Sequence, residues 1–223
     1  MSRTLFITGA SSGIGAATAR AASRAGWNVA LLARSADKLQ ALADELPGEA
    51  LALPGDATSE RDLQRAADAA AERFGGIDAG FANAGRGLKR PGTESADLED
   101  IRGMIDLNVM GVVLAARILL PHLRQTRGTL VLTGSAAGRM HIAGSIYGAT
   151  KWFVHGYGGN LADEMREWGG RCTVISPGMV NTDFFDKGAP DKLQPEDVAA
   201  AVMHAIEALP RAAIREIHLM PQN

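Results

Sequence analysis

Tyr147 and Lys151 lie four residues apart in a segment with helical patterning, which sets them one above the other on one helix face. A free phenol has a pKa of about 10 and is a poor base at neutral pH. A lysine ammonium beside it favours the phenolate and draws that pKa down. Such a phenol gives a proton to a carbonyl, or takes one from an alcohol, near working pH. Ordinary helix packing is the other explanation of the spacing. Ser135 follows the apolar run Thr129–Thr133, at the end of a strand where α/β sheets place their ligands. Its hydroxyl is suited to bond a substrate oxygen and to stabilise charge that develops there. Asn108 falls inside a helical segment, where asparagine is a modest helix former and an amide can hold a water.

A second cluster lies near the N-terminus. The first apolar run leads into Thr8-Gly9-Ala10-Ser11-Ser12-Gly13-Ile14-Gly15-Ala16. Glycines at such a turn permit positive φ and let backbone amides approach a phosphate with no Cβ in the way. The helix that follows adds oriented N–H groups and partial positive charge, which suit a pyrophosphate. Strand before, helix after and glycines between predict a dinucleotide-binding turn. The second strand ends in Ala33-Arg34-Ser35, where an NAD-preferring protein places an acid for the ribose hydroxyls. A guanidinium there suits a 2′-phosphate, and Ser35 adds a hydroxyl. The expected cofactor is therefore NADP(H) rather than NAD(H). The competing arrangement leaves Arg34 in solvent and has Asp37 turn back to the ribose.

Short apolar runs alternate with longer helical patterns along the chain. Runs at 4–7, 29–33, 50–53, 79–82, 129–133, 172–175 and 214–219 are apolar on both faces, or nearly so, as strands covered on two sides should be. Helical patterning covers 13–25, 36–46, 60–74, 98–124, 147–168 and 195–209. Ser59 is a candidate N-cap, and Gly75-Gly76 ends a helix. Strand and helix alternate throughout, which predicts an α/β fold with one doubly wound parallel sheet of about seven strands, the Rossmann arrangement. Residues 1–223 are expected to form a single domain. The polar, Gly- and Pro-bearing stretch 186–195 is expected to be a mobile loop.

Composition narrows the classes. The chain has 223 residues, 46% apolar and 22% charged, with a net charge of -2. No basic field draws it to nucleic acid or anionic lipid. No stretch approaches the roughly 20 apolar residues of a membrane span, and the N-terminal apolar run is too short for a signal peptide, so a cytoplasmic location is expected. The lone Cys172 allows no internal disulfide and is expected in a buried strand. The five histidines show no metal-ligand spacing, so no metal is expected.

The spacing Gly9-x-x-x-Gly13-x-Gly15 after Thr8, together with Tyr147-x-x-x-Lys151, resembles the short-chain dehydrogenases/reductases, and the resemblance runs over nearly the whole chain. It implies hydride exchange between NADP(H) and an alcohol or carbonyl substrate. It also implies a catalytic tetrad: Ser135 orients the carbonyl, Tyr147 transfers the proton, Lys151 holds the nicotinamide ribose and tunes Tyr147, and Asn108 anchors a relay water. The cofactor site it implies uses Gly9, Ser11, Ser12, Gly13, Ile14 and Gly15 for the pyrophosphate, with Arg34 beyond them. Asp56 and Ala57 would sit at the adenine, although an Asx turn also explains Asp56. Asn83, Ala84 and Gly85 line the ribose region. Here Ala82 stands where the family has an asparagine. Tyr147 and Lys151 face the nicotinamide, and Pro177, Gly178, Val180 and Thr182 hold its carboxamide.

Other residues keep two explanations. His141 is either a substrate contact or an exposed loop residue. Met140, Met179, Phe184 and Phe185 form either an apolar pocket or ordinary packing. Trp27, Trp152 and Trp168 are expected to pack. Helices 98–124 and 147–168 are apolar on more than one face, which predicts a homodimer or homotetramer. The rival functions are a longer-chain sugar-nucleotide epimerase or dehydratase, disfavoured by the glycine spacing and the short C-terminal part, and a non-catalytic dinucleotide sensor, disfavoured by the intact tetrad.

Overall fold

The computed structural model describes residues 2–184 and 189–222. Seven strands form one sheet: β1 (Thr4–Thr8), β2 (Asn28–Ala33), β3 (Ala50–Pro54), β4 (Ala79–Ala82), β5 (Thr129–Thr133), β6 (Arg171–Pro177) and β7 (Glu216–Leu219). All pairings are parallel, in the order β3-β2-β1-β4-β5-β6-β7. Leu5 lies beside Val29 on one side and Ala79 on the other. The order reverses between β1 and β4, the position at which open α/β sheets bind ligands beyond their strand ends.

Successive strand residues feed two separate cores. Leu5, Ile7, Val29, Leu31, Phe81 and Val131 pack under α1 (Gly13–Arg24), α2 (Ala36–Glu45) and α7 (Pro195–Ile206). On the other face, Phe6, Ala30, Leu32, Leu130 and Leu132 meet α3 (Glu60–Phe74), α5 (Gly111–Thr126) and α6 (Ile146–Arg166). This two-sided burial is why the central strand positions are apolar on both faces. Each fully buried Leu or Phe contributes about 1.5–3 kcal/mol, so the double cover is the main source of stability. The alanine-rich stripes of α1 and α3 bring these helices close to the sheet. The Ser59 hydroxyl caps α3 by accepting from the Asp62 amide at 3.2 Å, and Gly75 closes the helix at φ 83°.

Three expectations need correction. The segment 98–124 is not one regular helix. It consists of α4 (Leu98–Ile105), a π turn at Asp106–Met110 and α5. Such bulges are frequently found at functional sites. The same run, Leu98–Thr126, is also long and apolar enough to cross a bilayer, contrary to the expectation that no stretch is. In this fold Val112, Ala115, Ala116, Leu119 and Leu123 of that run are buried in the sheet-facing core. Finally, residues 189–194 of the expected mobile loop are tied down. Val180 pairs with Leu193, the Asn181 amide donates to the Leu193 carbonyl at 2.7 Å, and Asn181 Nδ2 donates to Gln194 at 3.0 Å. Phe185 and residues 186–188 lie outside the described residues.

Candidate active site

The glycine turn after β1 is shaped by close approaches. Gly9 has φ 66°, and a Cβ there would lie 2.9 Å from the Ala84 Cα. A Cβ on Gly15 would meet the Gly9 carbonyl oxygen at 2.2 Å, so α1 starts against the turn only because Gly15 has none. Gly13 sits under Thr182 from the segment after β6, whose methyl is 3.2 Å from where a Cβ would be. Ser12 occupies the N-cap of α1 without capping it, and no acid lies in the first turn. Amides at the start of α1, including those of Gly13, Ile14 and Gly15, are therefore left for an anion.

Asn83 fastens the strand ends around this turn. Its Nδ2 donates to the Thr8 and Gly9 carbonyls at 3.1 and 3.2 Å, and its Oδ1 accepts from the Thr133 hydroxyl at 3.2 Å. The Thr8 hydroxyl accepts from the Asn83 and Ala84 amides. One side chain thus joins the ends of β1, β4 and β5. Gly85 follows, with Asn108 Oδ1 and Lys151 Nζ 3.3 and 3.7 Å from the position of its missing Cβ.

The end of β2 lies beside the same turn. The Ala10 amide donates to the Leu32 carbonyl at 3.2 Å, and the Gly55 amide to the Ala33 carbonyl at 3.0 Å. Arg34 and Ser35 project beyond that point and are exposed. Among the described residues neither their side chains nor those of Ser11 and Ser12 make a hydrogen bond or ion pair. Asp37 sits in the first turn of α2. Asp56 Oδ1 accepts from the Thr58 amide and hydroxyl, both at 2.8 Å, which is the Asx turn. Ala57 is buried beside Gly111.

Ser135, Tyr147 and Lys151 converge past the end of β5. Ser135 heads a 3₁₀ turn at Ala136–Gly138, its Oγ accepting from the Ala137 amide at 3.1 Å. The Ser145 hydroxyl caps α6 by accepting from the Gly148 amide at 2.9 Å, which fixes where Tyr147 starts. Lys151 is buried and donates to the Thr133 carbonyl at 2.7 Å, with Nζ 5.7 Å from the Tyr147 ring centre. Burial lowers the Lys151 pKa from 10.5 to about 8. Burial raises the Tyr147 pKa, and the neighbouring Ser135 hydroxyl opposes the rise. Desolvation is the larger of these two influences on the phenol in the protein by itself. The phenol keeps its proton.

Asn108 sits in the π turn and links two segments. Its Oδ1 accepts from the Arg86 amide, and its Nδ2 donates to the Arg86 carbonyl and the Thr150 hydroxyl, at 2.9, 2.9 and 3.2 Å. Its side chain is fully buried, and it clamps the segment after β4 onto α6. Thr150 passes the link on by donating to the Tyr147 carbonyl at 2.7 Å.

The segment after β6 closes the site. The Gly178 amide donates to the Leu219 carbonyl at 2.7 Å, Pro177 ends β6, Val180 is buried, and Thr182 lies over Gly13. Phe184 sets its ring against Tyr147, centres 5.5 Å apart, and contacts the Gly87 position. His141 stacks on Trp152 at 5.6 Å, and both are exposed. The sequence had suggested Phe184 only as a member of a pocket or of packing. It had not suggested the ion pair of Arg86 with Asp100 or the environment of His155, because their partners are distant in the chain.

The family model for short chain dehydrogenases matches residues 3–193. The chain belongs to that family, and the seven-stranded sheet is its Rossmann-like fold. The fold is similar to an alcohol dehydrogenase from the archaeon Thermococcus sibiricus complexed with 5-hydroxy-NADP, at TM-score 0.92 and 29% identity over 100% of this chain and 97% of that one. A closed form of serine dehydrogenase complexed with NADP+ is similar at TM-score 0.91 and 28% identity, covering 98% and 94%. A 3-ketoacyl-(acyl-carrier-protein) reductase from Brucella melitensis complexed with NADH is similar at TM-score 0.88 and 27% identity, covering 97% and 96%. The protein is an oxidoreductase of this family.

Proposed function

We propose that one domain spanning residues 1–223 reduces a carbonyl, or oxidises the matching alcohol, with NADP(H). The observation that carries this is the meeting of the Ser135 hydroxyl, the Tyr147 phenol and the buried Lys151 at the strand ends beside the glycine turn. The residues present fit a dinucleotide. The turn has no Cβ where a pyrophosphate would approach, α1 is uncapped, and Arg34 and Ser35 are free at the ribose end.

A bound nicotinamide supplies or accepts the hydride. The protein's own groups do the rest. The Ser135 Oγ accepts from Ala137, which leaves its own proton to donate to the substrate oxygen. Tyr147 gives its proton to that oxygen in reduction and takes it back in oxidation. Lys151 stands between the phenol and the Thr133 carbonyl, where it would hold a ribose hydroxyl of the cofactor and favour the phenolate. Asn108 keeps α6 and the segment after β4 in register. Phe184 shields the phenol from water. The substrate is a small molecule, and the protein acts in the cytoplasm.

Solved relatives are complexed with NADP+ or with NADH, so the choice rests on Arg34. A charge-assisted bond to the 2′-phosphate is worth about 1.5–3 kcal/mol, so NADPH should bind one to two orders of magnitude more tightly than NADH. Titration of both cofactors into the parent and Arg34→Ala tests this. Tighter NADH binding, or no loss of NADPH affinity in the variant, contradicts it.

A further inference from the structure

One turn beyond Lys151 on the same face of α6 stands a third functional side chain, His155. Its ring is the floor of the turn that carries Ser135. A Cβ on Gly138 would lie 2.6 Å from His155 Cδ2, and one on Gly134 would lie 3.2 Å from Nε2. The two residues that flank the Ser135–Ala137 segment are thus glycines where this ring and α6 come close. His155 Nε2 is 3.3 Å from the Ser135 carbonyl oxygen and 3.4 Å from the Ser176 hydroxyl of β6. His155 Nδ1 is buried without a hydrogen-bond partner, 3.5 Å from Glu216 Oε1 of β7. Glu216 is in turn held by Arg139, just past the turn, and accepts from the Ser176 hydroxyl at 2.8 Å.

A carbonyl oxygen cannot donate, so the Ser135 contact is a bond only when Nε2 carries the proton. We propose that His155 is a positioning residue for the reaction: by donating from Nε2 to the Ser135 carbonyl, it fixes the turn that holds the Ser135 hydroxyl beside Tyr147. The proposal rests on the reading of Ser135 and Tyr147 given above.

The same geometry makes the Glu216 side of the ring, and not the Ser135 contact, respond to acid. With the proton on Nε2, the Nδ1 lone pair faces a carboxylate. A second proton on Nδ1 turns that repulsion into attraction while keeping the Ser135 bond. The charged and titratable groups facing the ring are Glu216 from β7, Arg139 from the turn and Lys151 from α6. Burial pushes the His155 pKa below its usual value, against the Ser135 bond and the Glu216 charge. Burial raises the Glu216 carboxyl, but its bonds from Arg139 and Ser176 outweigh this and hold it ionised. Because burial prevails, the ring is neutral at neutral pH and gains its second proton in acid.

His155→Leu removes the donor and fills the space; His155→Gln keeps an N–H for the Ser135 carbonyl. NADPH-dependent reduction of 4-nitrobenzaldehyde is followed across the acid and neutral range, with NADPH affinity measured by fluorescence. The proposal expects kcat to fall about tenfold in His155→Leu. NADPH affinity should be unchanged, and most of the loss should be restored in His155→Gln. Parent-like kcat in His155→Leu, or equal loss in both variants, overturns it. Nitrogen-15 shifts of the ring decide the contact without turnover. A neutral ring protonated on Nε2 supports the proposal, and one protonated on Nδ1 overturns it. Tyr147→Phe is run alongside: if it turns over like the parent, the assignment of Tyr147 fails, and the ring shifts alone then decide the His155 contact.

Discussion

Lys151 is the residue whose environment matters most. It is nearly inaccessible, its ammonium is met by one carbonyl, and its pKa falls from 10.5 to about 8. The unfolded chain keeps that proton to about pH 10.4. Unfolding therefore takes up a proton between these values, and stability rises with pH across that window. Below about pH 8 the buried charge weakens the fold fully. Cys172 acts in the opposite sense, because burial pushes its thiol from 9.0 up to about 12 and favours the folded protonated form less as pH climbs past 9. The rise is thus clearest between about pH 8 and 9. Thermal melts of the parent should show it and those of Lys151→Met should lack it; parallel curves for the two proteins would contradict the burial of a titrating lysine. Tyr147, Lys151 and Ser135 were legible in the sequence because four-residue spacing and a strand end are local signals. The roles of Asn108 and His155 were not, because each depends on a partner from a distant segment: Arg86 for one, Glu216 for the other.

At the scale of elements, Asn83 carries an unusual share of the architecture. Its amide holds β1 and the glycine turn, and its carbonyl oxygen holds β5. Asn83→Ala removes these bonds and leaves backbone carbonyls of Thr8 and Gly9 without that partner. The expected loss is about 1–3 kcal/mol of stability, with weaker NADPH binding because the turn loosens. Urea denaturation and a cofactor titration check this, and parental values in both would refute the clamp. The strands were legible because both faces are buried, and the helix caps because Ser59 and Gly75 carry local signals. The π turn was not: apolar residues continue through Asp106–Met110 at a spacing that looks helical, and only the demand to place Asn108 against Arg86 and Thr150 accounts for its position. Nor was the ordering of residues 189–194 visible, since Asn181 fastens them from across the loop.

At the scale of the molecule, α6 shows an aromatic outer face. Trp152 and Phe153 are 43% and 37% exposed, Phe153 stacks on Tyr157 at 5.5 Å, and space around Gly156 and Gly159 is open. We propose that a second copy covers this face, giving the dimer or tetramer expected from the helix patterning. Light scattering should give a multiple of 23.4 kDa for the parent and a smaller assembly for Phe153→Glu. A parental mass of 23.4 kDa at micromolar protein contradicts it. In the proposed function the sheet, the glycine turn and the proton-bearing cluster act together in one event, the interconversion of a carbonyl and an alcohol. The most direct measurement therefore follows NADPH absorbance with a panel of aldehydes, ketones, sugars and hydroxy acids, in the parent and in Tyr147→Phe, with NADPH binding measured on both. The account predicts turnover on at least one carbonyl by the parent, a loss of about 10²–10⁴-fold in Tyr147→Phe, and nearly equal NADPH affinity. A variant that binds NADPH and turns over as fast as the parent would contradict it.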